Sequence, residues 1–188
     1  MNKKQTIGIF GSAFNPPHFG HLDAIEQVLD KFDRLIVVPS YRHAFGKQMA
    51  PYSIRFRMTE ALVNEIQTGT PIQVSRIEET LARNQLATNY TRPIYTYDVL
   101  TALAQKCPGA ELYFIVGPDN ADAKTWQKFY RANEILTQWN ICPVKERKAV
   151  RSTRLRHAIT NGDTIIDWLP ESVAKIVMSH QLYMEQTI

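Results

Sequence analysis

The chain has 188 residues, of which 44% are apolar and 21% charged, which suits one soluble folded unit able to bury a real core. No stretch approaches the roughly 20 apolar residues of a membrane span, and two cysteines without CxxC spacing, Cys107 and Cys142, speak against zinc and for reduced thiols in a cytoplasmic protein. A net charge of +4 fits a protein that handles phosphorylated small molecules and equally one that touches nucleic acid.

In chain order, TIGIF (6–10) is a short Ile-rich run bounded by glycine and predicts a buried strand; the prolines after it and the missing small-residue cleavage site argue against a secretory leader. FGHLDAIEQVLDKF (19–32) has Leu22, Ile25, Val28, Leu29 and Phe32 at helical spacing. RLIVVPS (34–40) predicts a second strand, and a polar loop follows over 41–52. A helix is expected over 53–66 with Ser53 as its cap, and a third strand over 71–75. YTYDVLTALAQKC (95–107) predicts a helix with Thr96 as N-cap, ending at Pro108-Gly109. Strands over 111–116 and 139–144 flank helical material from about 121 to 136. Two last helices are expected over 152–162 and 170–182, the second with Pro170 in its first turn.

Strands alternating with helices imply βαβ units: an α/β, Rossmann-like doubly wound sheet, mainly parallel, in a single domain (1–188) with a C-terminal helical segment. Ligands of such sheets bind beyond the carboxyl ends of the strands. Four unusual loops fall at that edge: GSAFNPPHFGH, PSYRHAFGK, VGPDN and VRSTRLR. In the first, Gly11 allows a sharp exit from the strand, and Asn15, Pro16 and Pro17 stiffen the turn. His18 and His21 lie three apart at a helix start and can face one side, where free N–H groups favour anions. Gly20 leaves room for a base or phosphate between them. The basic run KERKAVRSTRLR (145–156) has no interleaved aromatics, so a polyphosphate explains it more economically than nucleic acid.

GSAFNPPHFGH resembles the first signature of the HxGH nucleotidylyltransferase superfamily, G-[ST]-F-[DN]-P-x-H-x-G-H, and VRSTRLR resembles its second, I-S-S-T-x-I-R. Ser152, Thr153 and Arg156 match the latter; Arg151 stands where the first serine is usual. IYTYDVL, YFIVGPDN, Trp126 and LPESVAKIVMSHQLY are similar to stretches of the nicotinate/nicotinamide mononucleotide adenylyltransferase branch, so the resemblance covers nearly the whole chain. The loop after strand two departs from the P-P-H-[KR] stretch of many bacterial nicotinate-type members, and the segment before the second motif is short.

The resemblance implies that ATP and a pyridine mononucleotide give a dinucleotide and pyrophosphate, by in-line attack on the α-phosphorus without a covalent enzyme intermediate. It assigns His18 and His21 to catalysis, and Gly11, Ser12, Phe14, Gly20, Ser152, Thr153 and Arg156 to ATP. The mononucleotide falls to Ala13, Asn15, Lys47, Arg55, Thr96, Gly117, Asp119 and Trp126, with Trp126 stacking on the pyridine ring and Asp119 on a ribose hydroxyl. Mg²⁺ would come with ATP, held by its oxygens and water rather than by a protein ligand. The expected setting is cytoplasmic, without nucleic-acid or membrane partners and with homo-oligomerisation open. Nicotinate is favoured over nicotinamide. Phosphopantetheine adenylyltransferases, other nucleotidylyltransferases and an inactive nucleotide-binding regulator are the alternatives.

Overall fold

The structure, a computed structural model, describes residues 3–42, 46, 48–88, 92–120 and 123–184, with the backbone alone at Asp119, Ala123 and Lys124. Five strands, β1 (Thr6–Ser12), β2 (Arg34–Pro39), β3 (Ile72–Val74), β4 (Glu111–Val116) and β5 (Asn140–Pro143), form one sheet in the order β3-β2-β1-β4-β5. Every pairing is parallel, with Gly8 opposite both Leu35 and Tyr113. Alternation along the strands sends Ile7, Ile9, Ile36, Val38, Leu112, Phe114 and Val116 to one face and Phe10, Leu35, Val37 and Ile115 to the other. Each face carries its own core. Helices α1 (Phe19–Glu26), α2 (Tyr52–Asn64), α7 (Ser152–Asn161) and α8 (Glu171–Ser179) cover the second face. Helices α3 (Ile77–Ala87), α4 (Thr96–Lys106) and α6 (Ala132–Gln138) cover the first, with the short α5 (Ala123–Trp126) beside them. The expected doubly wound architecture is therefore present, with its switch point between β1 and β4.

Several local expectations are corrected. The helix predicted over 19–32 stops at Glu26, where the Val28 N–H reaches the Ile25 carbonyl and the chain tightens into a 3₁₀ turn at Leu29–Lys31. Ser53 does not cap α2, which starts one residue earlier after Pro51. Thr96 is the first residue of α4 and not its cap; the Tyr95 N–H is held at 2.9 Å by the Asp98 carboxylate, which Arg92 also grips at 2.6 Å. Pro170 lies outside α8, immediately before its first residue. The helical stretch over 121–136 breaks at Arg131, which takes a left-handed φ of 57° with its guanidinium 4.0 Å from the Tyr97 ring centre. Helix α3 has no counterpart in the sequence reading: it buries only Ile77, Glu78 and Ala82, so a carboxylate occupies a core position and blurs the apolar period.

Candidate active site

The β1 exit is built around a reversal of the chain. Phe14 takes a φ of 46°, rare for a bulky side chain, and its ring is fully buried edge-on to Phe10 at 5.8 Å. His21 rests on Phe14 with 4.8 Å between ring centres, and His18 lies 3.9 Å from His21. Hydrogen bonds fix both rings. The His18 N–H donates to Nδ1 of His21 (3.2 Å), so the neutral His21 ring carries its proton on Nε2 and donates to Ser12 Oγ (3.0 Å). The Gly20 N–H donates to Nδ1 of His18 (3.1 Å), which leaves His18 Nε2–H without an acceptor among the described residues.

Both imidazoles are held neutral. Burial, and then the charge of Arg151, bring His18 down to about 4. Burial, then His18, then Arg151 push His21 well below the ordinary range. The pair is thus an arrangement of oriented neutral donors, one aimed at Ser12 and one at ligand space. Gly20 serves the pair in a way the sequence did not suggest: a Cβ there would sit 3.0 Å from His18 Cε1 and Nδ1 and 3.2 Å from the Val150 carbonyl, so its open space receives the imidazole itself.

The anion-favouring helix end is not at α1. There the Phe19 N–H donates to the Trp168 carbonyl and the Gly20 N–H to His18. It is at α7, where the Ser152, Thr153 and Arg154 N–H groups have no acceptor among the described residues and Arg151 provides no side-chain cap. The two motif halves are strapped together: Ser152 Oγ donates to the Pro16 carbonyl (3.0 Å), and Arg156 donates to the Asn15 carbonyl (2.8 Å).

A cleft of about 240 Å³ opens at the switch point, lined by Gly11, Ser12, His18, Gly20 and His21 from the β1 side, Gly117 after β4, and residues 144–148 and 150–152 from the basic run. Lys145, Arg147, Lys148 and Arg151 oppose Asp23 and Glu146 there. Asp23, 7% exposed, is clasped by Arg147 Nη2 (2.7 Å) and Gln27 (2.9 Å), and Gln27 also bonds the backbone of Lys145. Among the described residues, the cleft carboxylates Asp23 and Glu146 are each paired with an arginine. On the other side of Gly11 and Ser12 a second cavity of about 100 Å³ has apolar walls that include Val38, Leu100 and Phe114, and polar groups from Ser40, Glu78 and Thr96. Glu78 Oε2 accepts the Tyr41 N–H at 2.7 Å; burial dominates over this bond and over Arg55, and the carboxyl is pushed up to about 8.

Of the expected site residues, Gly11, Ser12, His18, Gly20, His21, Gly117 and Ser152 line the cleft, and Thr96 lines the second cavity. Others are placed differently. The Phe14 ring is wholly buried against His21 and Phe10, so the site role expected of this turn falls to backbone groups and not to the ring. Asn15 is 4% exposed, its Oδ1 accepting from the Ala50 N–H and the Tyr183 hydroxyl. Arg55 is 1% exposed and donates to the carbonyls of Ala13, Tyr41 and Ala50, so it is a strut and not a phosphate ligand; the same bond occupies the Ala13 carbonyl. Trp126 is 8% exposed and packs edge-on to Phe114 (6.3 Å) and against Phe129 (4.7 Å), a core position that lines neither cavity. Thr153 is exposed beside Arg156, which faces Asn15 and Tyr183 rather than the cleft. Lys47 and the Asp119 side chain lie outside the described residues. Sequence reasoning missed Asp23 and Glu78. Asp23 had a signal: with Gln27 it forms an i,i+4 polar pair on a helix that a basic run must face.

A cytidylyltransferase-like family model matches residues 9–158. A Myxococcus xanthus protein named "Probable nicotinate-nucleotide adenylyltransferase" is 30% identical over 97% of both chains. A solved Vibrio parahaemolyticus structure assigned as a nicotinate-nucleotide adenylyltransferase superposes with a TM-score of 0.80 at 30% identity, covering 97% of each chain. The chain belongs to the nicotinate-nucleotide adenylyltransferase family. A Plasmodium falciparum nicotinic acid mononucleotide adenylyltransferase, solved with APC, shares the fold at a TM-score of 0.67 and 16% identity. In this nucleotidyltransferase the HxGH stretch lines one side of the cleft, and residues 144–148 together with 150–152, the start of VRSTRLR, line the other.

Proposed function

We propose that the protein transfers the adenylyl group of ATP to nicotinate mononucleotide, giving the dinucleotide and pyrophosphate. The observation that carries this reading is the two-compartment site divided by Gly11 and Ser12 at the switch point. The cationic cleft suits the triphosphate, and the smaller, apolar cavity suits a pyridine ring. A phosphate oxygen of the mononucleotide attacks the α-phosphorus in line; the bond from the α-phosphorus to the β-bridging oxygen breaks, and pyrophosphate keeps that electron pair. No nucleophilic side chain and no proton relay is needed, so the protein's contribution is positioning and charge stabilisation.

His18 Nε2–H donates to the oxygens of the reacting phosphate, and its neutral, hydrogen-bonded ring needs no reorientation as charge develops. His21 holds Ser12 Oγ, whose own proton is then free to point at a phosphate. The uncapped start of α7 receives the β- and γ-phosphates. Mg²⁺, if carried on the ATP oxygens, would supply further neutralisation of the triphosphate. Nicotinate is favoured because Glu78, held protonated at neutral pH, offers an O–H donor to a ring carboxylate, with Thr96 beside it.

Pyrophosphate release from ATP and Mg²⁺ with nicotinate mononucleotide, nicotinamide mononucleotide or phosphopantetheine, each separately, tests this. Nicotinate mononucleotide is expected to give the highest kcat/KM, and His18→Ala to lower kcat by about 10²-fold or more. Release with phosphopantetheine alone would overturn the assignment.

A further inference from the structure

Residues 13–17, which deliver the chain to His18, belong to no helix or strand, and side chains from distant segments hold them. Arg55 donates to the Ala13 carbonyl, Arg156 to the Asn15 carbonyl and Ser152 Oγ to the Pro16 carbonyl. The buried Asn15 side chain is a further tie with two donors. Its Oδ1 accepts from the Ala50 N–H at 3.0 Å and from the Tyr183 hydroxyl at 2.7 Å.

Three observations single out Tyr183. First, its place is over-determined. After α8 the chain turns back through Gln181 and Tyr183, which take left-handed φ values of 49° and 63° that side chains rarely adopt. Leu182, buried between them, donates its N–H to the Val177 carbonyl at 3.0 Å, and the Tyr183 carbonyl accepts from Thr160 Oγ1 at 2.7 Å. A backbone held against its preference at two positions in three points to a demand on what it presents, here one hydroxyl. Second, packing does not fix the relation between the segments. Asn15 and Tyr183 line a cavity of about 380 Å³ with Ala50 and Arg156, so a hydrogen bond ties the two sides where close contact does not. Burial raises the Tyr183 pKa, and the charges of Arg156 and Arg55 oppose that rise, so both arginines that hold carbonyls of the turn stand near the same hydroxyl. Third, a tilt at Asn15 reaches His18. Pro16 and Pro17 stand between them with φ locked by their rings, so the link absorbs little rotation.

We infer that Tyr183 is a positioning residue for His18: its hydroxyl fixes the Asn15 side chain and, through Asn15-Pro16-Pro17, the direction of the imidazole. The effect on turnover rests on the adenylyl-transfer reading above. This bond differs from those of Arg55 and Arg156. Without it, Asn15 Oδ1 still has the Ala50 N–H, so no buried acceptor is stranded and the fold survives. The Asn15 side chain is then tied only to the 41–52 loop, and the turn follows that loop.

The test uses the full-length protein as Tyr183→Phe, Asn15→Ala, the two combined, and Ile135→Val as a stability control on the opposite face of the sheet. Tyr183→Phe and Ile135→Val should each lose roughly 2–4 °C in Tm. Tyr183→Phe should lower kcat about 10-fold with KM for both substrates near wild type, and Ile135→Val should leave kcat unchanged. In nitrogen-detected NMR of the ligand-free protein, the His18 ring signals should move in Tyr183→Phe, with the midpoint rising from about 4 towards 6.5 as the ring gains water. Adding Tyr183→Phe to Asn15→Ala should lower kcat no further, because the path is already cut. The inference is overturned if Tyr183→Phe keeps kcat within twofold of wild type, if kcat falls with the His18 signals unmoved, or if Ile135→Val lowers kcat as much. Equal losses from Tyr183→Phe in the wild-type and Asn15→Ala backgrounds also overturn it. Should Asn15→Ala fail to fold, Thr160→Val, which frees the Tyr183 carbonyl, takes its place; it should lower kcat in the same sense, and an unchanged kcat overturns the inference. If wild type turns over neither pyridine mononucleotide, the adenylyl-transfer reading fails, and the His18 signals alone decide the role of Tyr183.

Discussion

Gly20→Ala separates the fold from the chemistry at a single atom. The added Cβ would lie 3.0 Å from His18 Cε1 and Nδ1 and 3.2 Å from the Val150 carbonyl, inside the contact distance of about 3.5–4.0 Å. Relief requires the imidazole to withdraw by a few tenths of an ångström. That stretches the 3.1 Å bond from the Gly20 N–H beyond the usual N–H···O/N range of about 2.7–3.2 Å and weakens it. The ring loses the contact that fixes its tautomer, and Nε2–H is displaced from the reacting phosphate. A misplacement of this size should lower kcat by about 10- to 100-fold. The backbone does not object, since Gly20 has no left-handed φ and lies in the first turn of α1. Alanine gains up to about 1 kcal/mol in helix propensity, against overpacking of about 1–3 kcal/mol. The net effect is a fall in Tm of at most about 12 °C for a chain of this size. Steady-state kinetics at saturating substrates, paired with calorimetric melting, reads both quantities. Gly69→Ala is the control, because nothing lies within 4 Å of its Cβ. If Gly20→Ala keeps kcat within threefold of wild type, the close seating of His18 on Gly20 is not what aims it.

Nitrogen-detected NMR of the ligand-free protein should find His18 protonated on Nε2, bare on Nδ1 and titrating near 4; a midpoint near 6.5 would refute the burial argument. Because the folded value lies below the unfolded one, the folded state binds fewer protons between those values. His18 alone should therefore remove about 3 kcal/mol of stability as pH falls from 6.5 to 4, and His18→Gln should flatten that slope in denaturant titrations. Glu78 has the opposite sense: its raised value makes stability fall as pH rises from about 4.5 towards 8, and Glu78→Gln should remove this dependence. The same substitution should lower the preference for nicotinate over nicotinamide mononucleotide, and an unchanged kcat/KM ratio would refute the role of Glu78 in the second cavity. Arg55→Met leaves the carbonyls of Ala13, Tyr41 and Ala50 without their donor, and should cost about 3–5 kcal/mol in urea unfolding while KM for both substrates stays near wild type. A large rise in a nucleotide KM with stability intact would restore Arg55 as a phosphate ligand.

What the sequence reveals about this site follows the range of the interactions involved. The strands were legible because β1, β2 and β4 are buried on both faces and read as continuous apolar runs. The histidine pair was legible because its geometry is local: three residues of one helix start, with a glycine between them, suffice to stack two rings. The partners of that geometry are not local. Asn15 and Arg156 are 141 residues apart, and Asp23 and Arg147 are 124 apart; in each case the bond depends on the return of the chain, after β5, to the segment that follows β1. An arginine on the helix after the 41–52 loop reads as a phosphate ligand, yet burial decides otherwise for Arg55, whose guanidinium bridges three carbonyls of irregular chain. Trp126 misleads in the same way, since an indole beside a pyridine subsite and an indole behind Phe114 have one sequence signature. The split site is therefore two local motifs, which the sequence shows, aligned by buried struts, which it does not. Removing a strut should loosen stability first, whereas removing a motif donor should lower turnover with the fold intact.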